Sequence, residues 1–215
     1  MPHPLHCPLC LGHDSSDYFQ DKARAYLQCG DCALVFVPPQ YHLSEAREKA
    51  EYDLHRNDPF DSGYRNFLAR LFEPLRERLP KAAVGLDFGC GPGPTLSLMF
   101  QEAGFSVAIY DKFYADNPQL LGQNYDFISA SEVVEHLRQP QLELERLYNL
   151  LNLNGILGIM TKLVTDQRAF TSWHYKNDLS HICFFSAETF HWLAKHLQAR
   201  LELIGKDVIL LQKLS

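Results

Sequence analysis

Three groups of residues have the types and spacing to do chemistry. The first is a set of four cysteines, Cys7-x2-Cys10 and Cys29-x2-Cys32. Each C-x2-C folds into a tight knuckle, and two knuckles at this spacing set four thiolates tetrahedrally around Zn²⁺. A site closed by four cysteines has no open coordination position, so the ion it holds is expected to be structural. Two disulfides are the rival reading, and a cytosolic setting argues against them. With four thiols present, His3, His6 and His13 are read as surface residues.

The second group is the stretch Val84-Gly-Leu-Asp-Phe-Gly-Cys-Gly-Pro-Gly93. Val84, Leu86 and Phe88 alternate as in a buried strand, Gly89, Gly91 and Gly93 break it, and a helix is predicted from Thr95 to Ala103. Glycine accepts positive φ and lets a ligand approach the backbone, and the new helix offers unpaired N–H groups. Strand, glycine turn and helix together suit a nucleotide-like ligand. The next predicted strand, Phe105–Tyr110, ends in Asp111, about twenty residues past the turn, where a carboxylate accepts both ribose hydroxyls in open sheets of this kind.

The third group is histidines, acids and aromatics in two later segments. One is Ser129-Ala-Ser-Glu-Val-Val-Glu-His-Leu137; the other is the long loop 162–185, with Trp173-His-Tyr-Lys-Asn-Asp178 and His181. Long loops beyond the carboxyl ends of strands are where open sheets bind ligands. His174 and His181 are candidate general bases, since histidine titrates near neutrality. Tyr175 and Asp178 are candidate orienting groups. The bland alternatives are a structural hydrogen bond for His181, packing for Trp173 and a capping role for His136. Cys90 and Cys183 read as buried apolar residues rather than nucleophiles.

Several elements must position these groups. A chain of 215 residues, 46% hydrophobic, suits one domain with a small appendage. The layout divides into a cysteine module at 1–40, a helical segment at 41–80 and an α/β domain at 81–215. Pro38-Pro39 marks the first boundary. Helices are predicted at Ser44–Tyr52, with Ser44 as N-cap, and at Tyr64–Leu79, where Pro74 is a possible kink. Strands are predicted at Tyr125–Ala130 and Gly155–Thr161, and a closing hairpin at Leu201–Gln212. Between them fall helices at Leu142–Asn152 and Ser186–Leu197, the latter with Thr189 at the capping-box position. Only about a dozen residues separate Asp111 from the strand at Tyr125, too few for a full crossover helix and strand. A shortened element, with an edge strand at Leu120-Leu121, is expected there.

Net charge is −6, which disfavours a phosphate backbone as partner. The cysteine module carries Asp14, Asp17, Asp21 and Asp31 against Lys22 and Arg24, so it is no basic patch. No apolar run is long enough to span a membrane, and the first residues lack a charged and then apolar signal segment. A cytoplasmic enzyme is the expectation.

Asp87-x-Gly-x-Gly-x-Gly93 resembles motif I of the class I S-adenosylmethionine-dependent methyltransferases. The dinucleotide fingerprint spaces its glycines differently, and a carboxylate at Asp87 suits a cationic amino group better than a pyrophosphate. The resemblance covers roughly Val84 to Lys213. It implies a Rossmann-like α/β fold with a seven-stranded sheet, here with its third-strand region shortened. It also implies S-adenosylmethionine as cofactor, held by Asp87, Gly89, Cys90, Gly91, Gly93, Asp111, Ser131 and Glu132. The segment carrying Glu132, Glu135 and His136 resembles the family's post-strand segment near the methyl-transfer face, which makes His136 a further catalytic candidate. Helices ahead of motif I commonly form a lid in such enzymes, and Tyr52 and Tyr64 are candidates to touch cofactor or substrate. With its four-cysteine module, the layout also resembles sugar C-methyltransferases that carry a zinc ribbon. The expectation is methyl transfer to a small-molecule acceptor. Methylation of RNA with the ribbon as reader, a catalytically inactive cofactor-binding regulatory or scaffold protein, and an NAD-dependent enzyme are the alternatives.

Overall fold

A computed structural model describes residues 5–54 and 57–214; His3 lies outside them. The cysteine module is built on three strands, β1 (Ser15–Gln20), β2 (Ala25–Cys29) and β3 (Val35–Phe36). Helices α1 (Glu45–Tyr52) and α2 (Ser62–Arg76) follow. Ser44 stands at the N-cap of α1, but its side chain makes no capping hydrogen bond. At α2, Asp61 caps instead, accepting from Gly63 and Tyr64 N–H.

The main unit alternates β4 (Val84–Phe88), α3 (Thr95–Glu102), β5 (Ser106–Tyr110), β6 (Tyr125–Ser131), α4 (Pro140–Asn149) and β7 (Leu151–Met160). It continues through α5 (Gln167–Thr171), β8 (Cys183–Phe184), α6 (Ala187–Leu197), β9 (Ala199–Ile204) and β10 (Val208–Lys213). The large sheet runs β5-β4-β6-β7-β10-β9, with the first four strands parallel and the hairpin antiparallel. The Rossmann-like α/β class is as expected. The sheet has six strands among the described residues, not seven. No edge strand forms at Leu120-Leu121, because the short link after Asp111 is spent on a tight Asp111–Ala115 bridge and a 3-10 turn, Pro118–Gly122.

The strand period of two sorts side chains to two faces. Phe127 packs on one side with Leu68, Leu71 and Leu75 of α2 and Phe100 of α3. Ile128 packs on the other in a cluster that runs without a break into the cysteine module, through Leu9, Tyr26, Leu34 and Phe36. Helix α2 is therefore mainly a core helix of the sheet, and only its first turns approach the ligand side.

The cysteine module is joined to the main unit by more than packing. Strand β8, from the long loop, pairs with β3, so the small sheet runs β1-β2-β3-β8. Helix α6 begins as the sequence suggests. Ser186 accepts from Thr189 N–H at 3.1 Å, and the Thr189 hydroxyl takes the reciprocal bond from Ser186 N–H.

Candidate active site and metal centre

The glycine turn leaves β4 with Gly89 at φ +73 and Gly91 at φ +64. A Cβ at Gly89 would lie 2.5 Å from Val133, and one at Gly93 would lie 2.1 Å from the Asn57 carbonyl oxygen. A side chain at either position would force the neighbour to shift. Asp111 braces the turn from β5: one carboxylate oxygen accepts from Gly91 N–H at 3.0 Å, and the other from Phe113 N–H at 2.8 Å. Asp87 is buried beneath the turn and accepts from the Ser129 hydroxyl at 2.8 Å. Burial, with a smaller push from the Asp111 charge, raises its carboxyl to about 7.

This turn forms one end of a cavity of about 600 Å³. Asp87, Gly89, Cys90, Gly91, Gly93, Asp111, Ser131 and Glu132 all line it. So do Tyr52 and Tyr64 from the two preceding helices, and Phe113 and Tyr114 from the short link. Glu48 of α1 ties that helix to the main unit. It is buried, accepts from Lys112 at 2.8 Å and Arg138 at 3.2 Å, and takes the Tyr52 hydroxyl at 3.0 Å. Asp116 is not part of the lining.

The other end of the same cavity is walled by His136, Tyr175, Asp178 and His181. Glu132 leaves β6 in the left-handed region at φ +53, a conformation that is uncommon outside glycine and that concentrates at functional sites. Val134–His136 then form a single 3-10 turn rather than the start of a longer helix. Glu135 is fully buried, while His136 stays half-exposed at the cavity wall. The Tyr175 hydroxyl contacts both acids, at 3.2 Å from Glu132 and closer to Glu135, and Thr161 donates to Glu135 at 3.0 Å. Burial pushes both carboxyls upward, and Glu135 is raised further by the neighbouring Glu132 charge. Lys162 offsets part of this at Glu132. Burial, together with these acids, also pushes the Tyr175 phenol upward, so it stays protonated and acts as a donor.

His181 is 7% exposed and gives its Nδ1–H to the Tyr175 carbonyl at 2.7 Å. Burial lowers its pKa, against the raising effect of Asp178, whose carboxylate lies 3.6 Å from Nε2. His174, by contrast, is exposed, lies 2.9 Å from the Lys162 ammonium and is not among the residues lining the cavity. The 3-10 turn His174–Asn177 turns it out and Tyr175 in. Sequence reasoning gave these neighbours equal standing because it had no period to separate them. It also underrated Glu135, whose only signal was its place three residues after Glu132.

In the cysteine module, Cys7 and Cys32 have sulfurs 3.5 Å apart and Cys10 and Cys29 have sulfurs 3.3 Å apart. All four lie within 4.8 Å of one another. Each knuckle is followed by a left-handed residue, Leu11 at φ 59 and Ala33 at φ 58, so the two turns are alike. The Cys7 thiol is lowered to about 6 by its hydrogen bond from Cys32, while burial lifts Cys10 to about 12. Arg24, fully buried, reaches from this module into the long loop. It donates to the carbonyls of Lys176 at 2.8 Å, Asp178 at 2.9 Å and Leu179 at 3.0 Å.

No helix among the described residues is long and apolar enough to cross a membrane. No curated protein matches the chain in sequence. Solved structures do match in fold. The 1,6-didemethyltoxoflavin-N1-methyltransferase of Burkholderia thailandensis is 16% identical at a TM-score of 0.53, with 93% of this chain and 99% of that one covered. A SAM-dependent methyltransferase from Archaeoglobus fulgidus is 17% identical at a TM-score of 0.53, covering 69% of this chain and 94% of that one. An O-methyltransferase family protein from Burkholderia thailandensis is 13% identical at a TM-score of 0.49; the match covers 78% of this chain and 63% of that one. The methyltransferase domain family model matches residues 60–203. The chain therefore belongs to the methyltransferase-domain family, an enzyme on the Rossmann-like fold of the S-adenosylmethionine-dependent class.

Proposed function

We propose that this methyltransferase binds S-adenosylmethionine at the glycine-turn end of the cavity and passes its methyl group to a small-molecule acceptor at the other end. The observation that carries this reading is the continuity of the site. One cavity is lined both by the Asp87–Gly93 turn with Asp111 and by His136, Tyr175 and His181. Its volume of about 600 Å³ is in the range of small-molecule sites. The Burkholderia N1-methyltransferase of the same fold was crystallised with 1,6-didemethyltoxoflavin and S-adenosylhomocysteine, a small acceptor beside the cofactor product.

The cofactor supplies an electrophilic sulfonium methyl. The chain supplies its binding and orientation. Asp111 offers carboxylate lone pairs to the ribose hydroxyls while bracing Gly91. Asp87, ionised, offsets the charge of the amino group. Gly89, Cys90, Gly91 and Gly93 give backbone approach, and Ser131 and Glu132 close the side facing the acceptor. Tyr52 and Tyr64 cover the site from the lid side. At the acceptor end, His181 and His136 are the base candidates, with Tyr175 and Asp178 orienting the acceptor. His174, exposed and off the cavity lining, has no part in this arrangement.

Zn²⁺ at Cys7, Cys10, Cys29 and Cys32 is the second part of the reading. Four thiols within 4.8 Å on two matched knuckles suit a closed tetrahedral ion. Its role is to fix the sheet that β8 completes, and through it the acceptor wall. The cysteine module, the helical segment at 41–80 and the α/β domain remain the working division, with α2 serving the sheet.

Calorimetric titration with S-adenosylhomocysteine, with NAD as control, tests the cofactor. One site per chain is expected, with no heat from NAD and binding weakened at least tenfold in Asp111→Ala. Saturable NAD binding with none of the homocysteine compound overturns the reading.

A further inference from the structure

Glu135 in the acceptor wall has no part in the methyl-transfer reading, and the two base candidates of that reading stand beside it. Glu135, His136 and His181 bring one carboxylate oxygen and two ring nitrogens within 4.8 Å of one another. His136 and His181 line the cavity, and Glu135 is fully buried behind them. Both imidazoles are held in the same tautomer by main-chain carbonyls, which can only accept. His181 gives Nδ1–H to Tyr175 O at 2.7 Å, and His136 gives Nδ1–H to Ser180 O at 3.2 Å. In the neutral ring this leaves Nε2 as the nitrogen that can ligate. This is the outer hydrogen bonding that orients metal-ligating histidines. The two rings meet edge to face with centroids 4.7 Å apart, so neither swings away without displacing the other.

The surroundings point the same way. The Tyr175 hydroxyl has one proton and faces two carboxylates, Glu132 and Glu135. The Asp178 carboxylate lies 3.6 Å from His181 Nε2. Lys162 acts on Glu132, with a smaller contribution from Arg70, and lies over the Tyr175 ring at 5.1 Å. Among the described residues, three acids and two imidazoles converge on this wall, with Lys162 at its edge.

We propose that Glu135, His136 and His181 bind a divalent first-row transition cation whose open positions face the cavity and take the oxygen of a hydroxyl-bearing acceptor. Ligands about 2.0–2.2 Å from one ion lie roughly 3–4 Å apart, so closing on an ion takes side-chain shifts of under about 1 Å. Two imidazoles and one carboxylate leave coordination positions open, unlike the four-cysteine site. The inference rests on the methyl-transfer reading for the role of the cation, though not for its binding. Near the cation an acceptor hydroxyl loses its proton to water more readily. Its oxygen then forms the O–C bond to the methyl carbon as the C–S bond breaks, and that electron pair stays on sulfur as S-adenosylhomocysteine leaves.

Zinc-loaded protein, freed of loosely held metal, is titrated separately with Mn²⁺, followed by electron paramagnetic resonance, and Co²⁺, followed by visible absorption. The expected result is one saturable site per chain beyond the zinc. Its affinity falls at least tenfold in both His136→Gln and His181→Gln, while circular dichroism is unchanged and S-adenosylhomocysteine affinity moves less than threefold. Glu135→Gln, a neutral isostere, is the third variant and is expected to weaken the metal alike. Absence of saturable binding of both ions in folded protein that binds S-adenosylhomocysteine overturns the inference and leaves the methyl-transfer reading intact. So does metal binding that all three variants leave unchanged. Metal bound without the homocysteine compound sinks the methyl-transfer reading and keeps the site.

Discussion

The guanidinium of Arg24 donates to the main-chain carbonyl of Lys176 at 2.8 Å, across more than two-thirds of the chain. The same side chain holds the carbonyls of Asp178 and Leu179. An arginine in the cysteine module thus fixes the turn from which Tyr175 and His181 face the cavity. Strand pairing of β3 with β8 runs beside it. The module is built into the acceptor wall and not merely attached.

Changing Arg24 to Met is therefore expected to separate the two halves of the site. Buried carbonyls left without a donor cost about 1–3 kcal/mol each. We expect Arg24→Met to lose about 3 kcal/mol, a fall of roughly 6–12 °C in melting temperature for a chain of this size. S-adenosylhomocysteine affinity should stay within about threefold of wild type while methyl transfer drops at least tenfold. Calorimetry beside a transfer assay checks this, and equal loss of both contradicts it.

Cofactor affinity should depend on pH through Asp87. Its buried carboxyl is raised to about 7. A cationic amino group favours the ionised form, so a proton must leave before binding at low pH. Affinity for S-adenosylhomocysteine is expected to rise by up to about tenfold from pH 6 to pH 8 and then level. In Asp87→Asn the titration curve loses this slope.

Gly93→Ala should weaken the cofactor and spare the fold. The added carbon meets the Asn57 carbonyl at 2.1 Å, and Asn57 lies on the lid side of the cavity. We predict at least a tenfold loss of affinity with a melting temperature within a few degrees of wild type. Gly122→Ala is the control, since a Cβ there meets nothing within 4 Å.

Glu48 holds α1 shut against Lys112 and Arg138, both of which are about half-exposed. Exposed partners limit such a latch to about 1 kcal/mol. Glu48→Ala is expected to raise KM for the cofactor about fivefold in steady-state kinetics, with kcat changed less.

Much of this was legible before folding was considered. The Gly89–Gly93 turn, Asp111 and the four cysteines announce themselves because their chemistry is local: a turn needs glycine, and a knuckle needs two cysteines two residues apart. The helix cap at Ser186 shows the limit of such signals, since Ser44 looked as good and caps nothing, while the cap at Asp61 was not read. The count of strands was overestimated because a sequence shows how short the link after Asp111 is, but not that it closes as a bridge and a 3-10 turn. The acceptor wall was hardest to read. His136 and His181 meet only because the long loop folds back under Arg24, and nothing near either histidine encodes a contact made from the cysteine module. His174 and Tyr175 part company on a single 3-10 turn, which no periodicity marks.

The most direct measurement is a crystal structure of the zinc-loaded chain grown with S-adenosylhomocysteine. The account predicts density in the one cavity, with the ribose hydroxyls on Asp111, the amino group toward Asp87 and the sulfur facing His136 and His181. Density elsewhere on the surface, or an empty cavity in crystals grown at saturating ligand, contradicts it.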